Sequence, residues 1–405
     1  MFRLILFVLL NLSRWAFASN DTWNVATFTD TIDRVITLDG EDDADFYFPI
    51  IEESERSNLE GAFPLIVFLQ GGQVDKSIYS EFCMRLASYG YVVVVPNHFV
   101  QIFEGVPPGL WASQWTPTEV LEDMKIRQSN DASPLYKIVN TDVAGISGHS
   151  NGGAAALFTT TNICQFPFCF GPNYNRPAEF RAAVVLGTHT VPAGGPGQHV
   201  EPLDVDNQIP VGLINGELDS LENVCKSWPL IEEEKDLVII EGVNHWGPAN
   251  IQNPPSNTPA QFEQTKPQEW SIKKSAYWTA VLFDAYLKSD AGAISVLSKN
   301  KGERDVYLNR HCLIGKSGKS SKSGKSLRSR QPAMPIGESS FSGGYETDSL
   351  LKIIDKWLKE NQLNFYGDPL DTVYTGGTPL FDETTGTSIS RFNYLMEKFP
   401  DQPWI

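Results

Sequence analysis

Gly148-His149-Ser150-Asn151-Gly152-Gly153 sets a serine between glycines two residues before and two residues after it, the spacing of a nucleophile elbow. A serine hydroxyl is a weak nucleophile until a base takes its proton, and the base needs an acid to orient it. Both partners stand downstream. Asp219 ends Ile209-Pro210-Val211-Gly212-Leu213-Ile214-Asn215-Gly216-Glu217-Leu218-Asp219, and His245 lies in Glu241-Gly242-Val243-Asn244-His245-Trp246-Gly247. Ser150, Asp219 and His245 therefore read as nucleophile, acid and base of an acyl-transfer triad, with Glu217 as the rival acid. Such chemistry also needs two backbone N–H donors for the developing oxyanion. Asn151, directly after the nucleophile, is one. Gly72, in Leu69-Gln70-Gly71-Gly72-Gln73, is the other, with Gly71 as the next choice. His149 reads as buried and structural. His189 reads as lining the pocket, and His98 as structural or facing the same rim. His199 and His311 carry no pattern. Phe99, Phe103, Trp111, Trp115 and Trp246 supply either an apolar acyl or alcohol site or core; Phe99, Trp111, Trp246 and His189 are the substrate-lining candidates.

These residues must be carried by strands and helices. Apolar runs at residues 64–69, 91–95, 143–146, 182–186, 211–214 and 237–240 lack alternation, which is the pattern of strands buried on both faces of a parallel sheet. Residues 77–89 place Tyr79, Phe82, Cys83, Leu86 and Ala87 at helical spacing and stop at Gly90, a C-cap signal. A leading antiparallel strand is expected at 46–51 and a closing amphipathic helix at 275–288. Strand and helix alternation of this kind predicts an α/β fold, a mostly parallel sheet covered by helices on both faces. The candidate nucleophile then follows the run 143–146 directly, and Gly72 and His245 follow the runs 64–69 and 237–240.

The chain has 405 residues with 49 Asp and Glu against 32 Lys and Arg, a formal charge of −17. Such acidity argues against a general nucleic-acid binder, because phosphate contacts need surplus Lys and Arg. The basic residues gather locally: Lys316, Lys319, Lys322, Lys325, Arg328 and Arg330 fall within a Lys-Ser-Gly repeat at 315–330. That composition predicts a flexible linker over 313–346, and from Lys316 to Arg330 a surface able to hold an anionic surface or polymer. A further helix is expected at 349–362, inside a C-terminal extension, 347–405, whose role the sequence does not disclose. At the other end, Arg3, the apolar run 4–10 and Ala16-Phe17-Ala18 read as a secretory signal peptide over residues 1–18. A secreted or cell-surface protein is expected, and the acidic residues that follow argue against a plastid leader. An oxidising compartment would permit the five cysteines two disulfides and one free thiol. Cys164 and Cys169 flank a Pro167 turn and are the easiest pair; Cys83, on an apolar helix face, reads as the free thiol. No Cys or His cluster has zinc spacing, so no metal and no cofactor is expected.

The constellation resembles the α/β-hydrolase superfamily, in the branch holding dienelactone hydrolases, platelet-activating-factor acetylhydrolase-like esterases, cutinase-like polyester hydrolases and chlorophyllases. The resemblance rests on Phe68-Leu69-Gln70-Gly71-Gly72 with Tyr79 and residues 85–93, on the elbow at 142–153, on Asn244-His245-Trp246-Gly247, and on the helix at 277–290. It makes residues 19–312 a catalytic domain. It implies a serine carboxylic-ester hydrolase, acting through Ser150, His245 and Asp219 with Gly72 and Asn151 as donors, on a small ester substrate of apolar or lipid-like character. One position departs: Gln70 stands where members of that branch often carry histidine before the oxyanion glycine. The alternative is a secreted cell-surface or matrix-binding protein on a hydrolase scaffold, tethered by its basic repeat.

Overall fold

In the computed structural model, the described residues are 22–34, 40–52, 59, 61–101, 108–169, 174–191, 201–232, 234–254, 260, 262–299, 304–309, 312 and scattered positions between 354 and 399. The expected signal segment 1–18, the linker and repeat at 313–346, most of the helix at 349–362, and Phe103, His199 and His311 lie outside them.

Nine strands form one sheet: β1 (Val25–Asp33), β2 (Glu41–Pro49), β3 (Phe63–Leu69), β4 (Val92–Asn97), β7 (Val139–His149), β8 (Phe180–Leu186), β9 (Val211–Gly216), β10 (Lys235–Ile240) and β11 (Val306–Leu308). A two-stranded hairpin, β5 (Phe99–Val100) with β6 (Gly109–Leu110), stands apart. The order across the sheet is β1-β2-β4-β3-β7-β8-β9-β10-β11. The six inner strands from β4 to β10 pair in parallel, as their unbroken apolar runs require. The antiparallel pairs lie toward the edges. The chain goes from β3 to β4 on one side and then crosses to β7 on the other. The gap between the carboxyl ends of β3 and β7 is therefore the topological switch point, where α/β sheets open a crevice.

Both faces of the sheet are covered. Leu65, Val67 and Leu69 face a core shared with α2 (Thr116–Ser129), α3 (Asn151–Thr159) and α4 (Leu221–Ser227). Ile66 and Phe68, from the alternate positions of β3, face α1 (Ser80–Ser88), α5 (Gln268–Lys288) and α6 (Ala291–Ser298). The expected helix at 77–89 is a single 3-10 turn, Lys76–Tyr79, capped by the Asp75 carboxylate on Ser77 N–H, followed by α1. It stops where Gly90 takes φ +85°, a conformation that costs other residues a steric clash. Helix α5 begins at Gln268 behind Pro267, a turn and more ahead of the expected start. Helix α5 lies close to the sheet at two glycines. A Cβ on Gly145 would stand 2.6 Å from Phe283, and one on Gly212 would stand 2.7 Å from Leu282.

The leading strand begins earlier than expected, at Glu41, and pairs antiparallel with both β4 and the unexpected β1. Within β2, Asp42 is buried and accepts from Arg34 Nε at 2.7 Å and contacts His98 Nδ1 at 2.7 Å. Two disulfides close, Cys164–Cys169 and Cys225–Cys312, and Cys83 is a buried free thiol. The described residues divide into two compact units, separating near residue 317. In the smaller one, Ile354, Leu358 and Leu395 form a cluster, with Trp357 set edge-on to Phe399 at 5.2 Å. Among the described residues no helix is long and apolar enough to cross a membrane.

Candidate active site

Strand β7 ends at His149 and α3 starts at Asn151, so Ser150 alone makes the turn, with φ 56° and ψ −120°. Positive φ in a non-glycine residue is strained, on the order of 1–3 kcal/mol, and persists only where neighbours fix it. Here Ser150 N–H donates to Leu186 O at 3.0 Å and Ser150 O accepts from Ala154 N–H at 2.9 Å. The flanking glycines are dictated by backbone. A Cβ on Gly148 would overlap the Gly152 carbonyl, and one on Gly152 would overlap the carbonyls of Leu69 and Gln70.

The parallel pairing of β9 with β10 brings the loops after them together. His245 Nε2 lies 3.0 Å from Ser150 Oγ and its Nδ1 lies 3.0 Å from Asp219 Oδ2. His245 is 24% exposed and Asp219 7%. Burial works against the Asp219 charge, but the hydrogen bond and charge of His245 outweigh it and hold the carboxyl below its usual value. Asn215 Nδ2 ties the acid's turn by donating to the carbonyls of Gly216 and Asp219. Glu217, the rival acid, faces elsewhere and accepts from Gly242 N–H at 3.1 Å.

The loop after β3 sits beside the elbow. Gly71 N–H donates to Tyr79 Oη at 3.1 Å, so that donor is occupied. Gly72 N–H has no acceptor among the described residues. Asn151, first residue of α3, has an N–H with no acceptor inside its own helix. Its side-chain Oδ1 accepts from Ala112 N–H at 3.3 Å, and Trp111 rests on Gly72, where a Cβ would stand 3.0 Å from the indole. Of the expected lining aromatics, Trp111 is thus the one that packs against Gly72. Phe99 is 54% exposed on β5. Trp246, expected among the lining aromatics, is a core residue at 2% exposure, set edge-on to His245 at 5.1 Å and tilted toward His149 at 5.6 Å. His189 lies 3.4 Å from Asn223, and burial lowers its pKa. Trp115 packs edge-on against Tyr174.

His98 pairs with Asp42 rather than reaching a pocket rim. With Glu119 these two bring three potential ligand atoms within 4.8 Å of one another. Both Asp42 oxygens are engaged, one of them by the Arg34 guanidinium, whose charge opposes a cation. The residue whose role sequence reasoning missed is Tyr79. At the end of an apolar helix face it reads as core, and nothing in its spacing marks its hydroxyl as a partner of both Gly71 and His149.

A family profile described as chlorophyllase matches residues 54–169. The chain is 26% identical over 98 residues to chlorophyllase-1, chloroplastic, of Citrus unshiu, and equally to that of Citrus sinensis, covering 24% of this chain and 29% of each relative. It is 20% identical over 143 residues to chlorophyllase-2 of Arabidopsis thaliana, covering 35% of this chain and 40% of the relative. The chain thus spans well under half the length of the curated relatives it matches. The profile takes in the Gly71-Gly72 loop and the elbow and ends before Asp219 and His245. The sheet has an α/β-hydrolase-like topology, and residues 54–169 are similar to the chlorophyllases, which belong to that superfamily.

Proposed function

We propose that this protein is a serine carboxylic-ester hydrolase. The observation that carries the reading is His245, 3.0 Å from Ser150 Oγ on one side and 3.0 Å from Asp219 Oδ2 on the other. His245 Nε2 takes the Ser150 proton as Oγ attacks the ester carbonyl. The tetrahedral oxyanion accepts from the N–H groups of Gly72 and Asn151. Collapse breaks the bond to the alcohol, which leaves with the proton returned by His245. Water, deprotonated by the same nitrogen, then cleaves the acyl-serine and frees the acid. Asp219 holds the imidazole with Nδ1 protonated and stabilises the cation formed on it.

An apolar acyl or alcohol group suits a site walled by Trp111 against Gly72. The relatives' name, chlorophyllase, adds a pigment ester to the substrates worth assaying. A secretory location accords with the two disulfides. The test is Ser150→Ala with short p-nitrophenyl esters and a serine-reactive phosphonate. Wild-type protein should turn over the ester and take the label, and the variant should do neither. Turnover that survives in the variant overturns the proposal.

A further inference from the structure

Tyr79 and His149 are both fully buried, on α1's leading turn and at the end of β7. Tyr79 Oη is 3.1 Å from Gly71 N and 2.9 Å from His149 Nδ1, and His149 Nε2 is 2.7 Å from the His245 carbonyl. Donor and acceptor chemistry leaves one consistent proton placement. A carbonyl only accepts, so His149 Nε2 carries a hydrogen. Nδ1 of the neutral ring then accepts, so Tyr79 donates its one hydrogen there. The Tyr79 oxygen accepts from Gly71 N–H. The series runs Gly71 to Tyr79 to His149 to His245 without a break and without water.

The ends of this series are the parts the proposed reaction needs. Gly71 directly precedes Gly72, His149 directly precedes Ser150, and the far end is the backbone of His245 itself. Gln70, where the related branch often has histidine, is buried with no partner for its amide among the described residues, so the loop is oriented by Tyr79 instead. Protonating His149 would put a second donor against Tyr79 and break the series. Burial, reinforced by the charge of His245, lowers the His149 pKa to about 3 and keeps the ring neutral.

We propose, resting on the esterase reading, that Tyr79 and His149 are positioning residues: one buried hydrogen-bonded series, with His149 protonated on Nε2, fixes the oxyanion loop and the His245 loop in register with Ser150. Neither touches substrate. A side chain that merely filled space would give the same stability effect but not the same kinetic pattern.

The experiment compares full-length wild type, Tyr79→Phe, His149→Leu, His149→Gln and the Tyr79→Phe/His149→Leu double variant on a p-nitrophenyl ester and a trifluoromethyl ketone that forms the tetrahedral adduct. Tyr79→Phe and His149→Leu should each lower kcat about 10- to 100-fold, since a misplacement of about 1 Å at the reacting groups costs up to about 100-fold. KM should stay within about threefold, and ketone affinity should fall with kcat. His149→Gln, which restores a donor to the His245 carbonyl, should recover part of the loss. The double variant should be no worse than His149→Leu by more than about threefold, because the two act as one unit. Unchanged kcat in folded single variants, or losses that multiply, overturns the proposal. Should the variants fail to fold, nitrogen NMR of the wild type decides. His149 should be neutral with hydrogen on Nε2 from about pH 5 to about pH 9, against an ordinary histidine that titrates in that span. The other tautomer or a titrating ring overturns the series. Wild type that neither turns over ester nor takes phosphonate counts against the esterase reading alone, and the NMR result then judges the hydrogen-bonded series.

Discussion

Asp219 Oδ2 meets His245 Nδ1 at 3.0 Å across the ends of two neighbouring parallel strands, although 26 residues separate them in the chain. Glu217, two residues nearer the strand, is held by Gly242 N–H instead. Asp219 rather than Glu217 is therefore set against His245, by the turn that Asn215 pins. Asp219→Asn keeps the shape but leaves the imidazole in the wrong tautomer. Its kcat should fall by about 10³- to 10⁴-fold, near the loss known for such a change. Glu217→Gln should stay within about threefold, a margin that steady-state kinetics resolves.

Gly152→Ala should damage both stability and turnover. Its Cβ would overlap the carbonyls of Leu69 and Gln70, so β3 must shift just ahead of Gly72. Backbone overlap of this kind destabilises by roughly 1–3 kcal/mol, measurable as a lower urea midpoint. The activity of the remaining folded protein should drop as well, because the oxyanion donor moves with the strand.

Acid sensitivity should originate at His149. Its pKa is about 3 in the folded chain against an ordinary value of 6.5. Between those values the unfolded chain binds a proton that the folded chain refuses, so stability falls as pH drops through that window. One such proton changes stability by about 1.4 kcal/mol per pH unit. Asp219, whose pKa is lowered from 3.8, pushes in the same direction as pH falls below that value. Urea midpoints measured down the pH scale should decline less steeply for His149→Gln than for wild type, and equal slopes would refute the assignment.

The Cys225–Cys312 bridge joins α4, next to the Asp219 turn, to the chain just beyond β11, its cysteines 87 positions apart. Closing a loop of that length removes about 4.6 kcal/mol of unfolded-state entropy on the chain-entropy account. Cys225→Ser with Cys312→Ser should lower the urea midpoint accordingly. Iodoacetamide offers a count. Burial pushes the Cys83 thiol up, so native protein should take no label and unfolded, unreduced protein one.

The sheet was legible because its central runs, such as Phe63–Leu69 and Val92–Asn97, are apolar on both faces and alternate with helix-length segments, the pattern of a parallel sheet between two helix layers. The grouping of Ser150, Asp219 and His245 within hydrogen-bond reach follows from their places just beyond three of those apolar runs. Strand β1 was not. Its sequence, Val25–Asp33, sets Ala26, Phe28 and Ile32 between Thr and Asp, so it lacks the unbroken apolar run that marks the inner strands. What holds it is remote: Arg127 on α2 pairs with Asp30 at 2.6 Å and lies over the Phe46 ring. Tyr79 was hidden for a related reason. A buried hydroxyl declares itself only through partners that are far off in sequence, here His149, 70 residues away. Trp246 misled in the opposite sense, since an aromatic beside a reactive histidine reads equally as pocket wall or as support.

The closeness of α5 to the sheet is set by side chains that are missing. Gly145 and Gly212 give up their volume to Phe283 and Leu282. Strand and helix thus form interlocking halves of one fitted surface, and neither half can be altered by itself. A methyl gained on a strand must be surrendered on the helix. Among descendants of this chain these four positions are expected to drift together, with a large residue at 145 or 212 accompanied by a smaller one at 283 or 282.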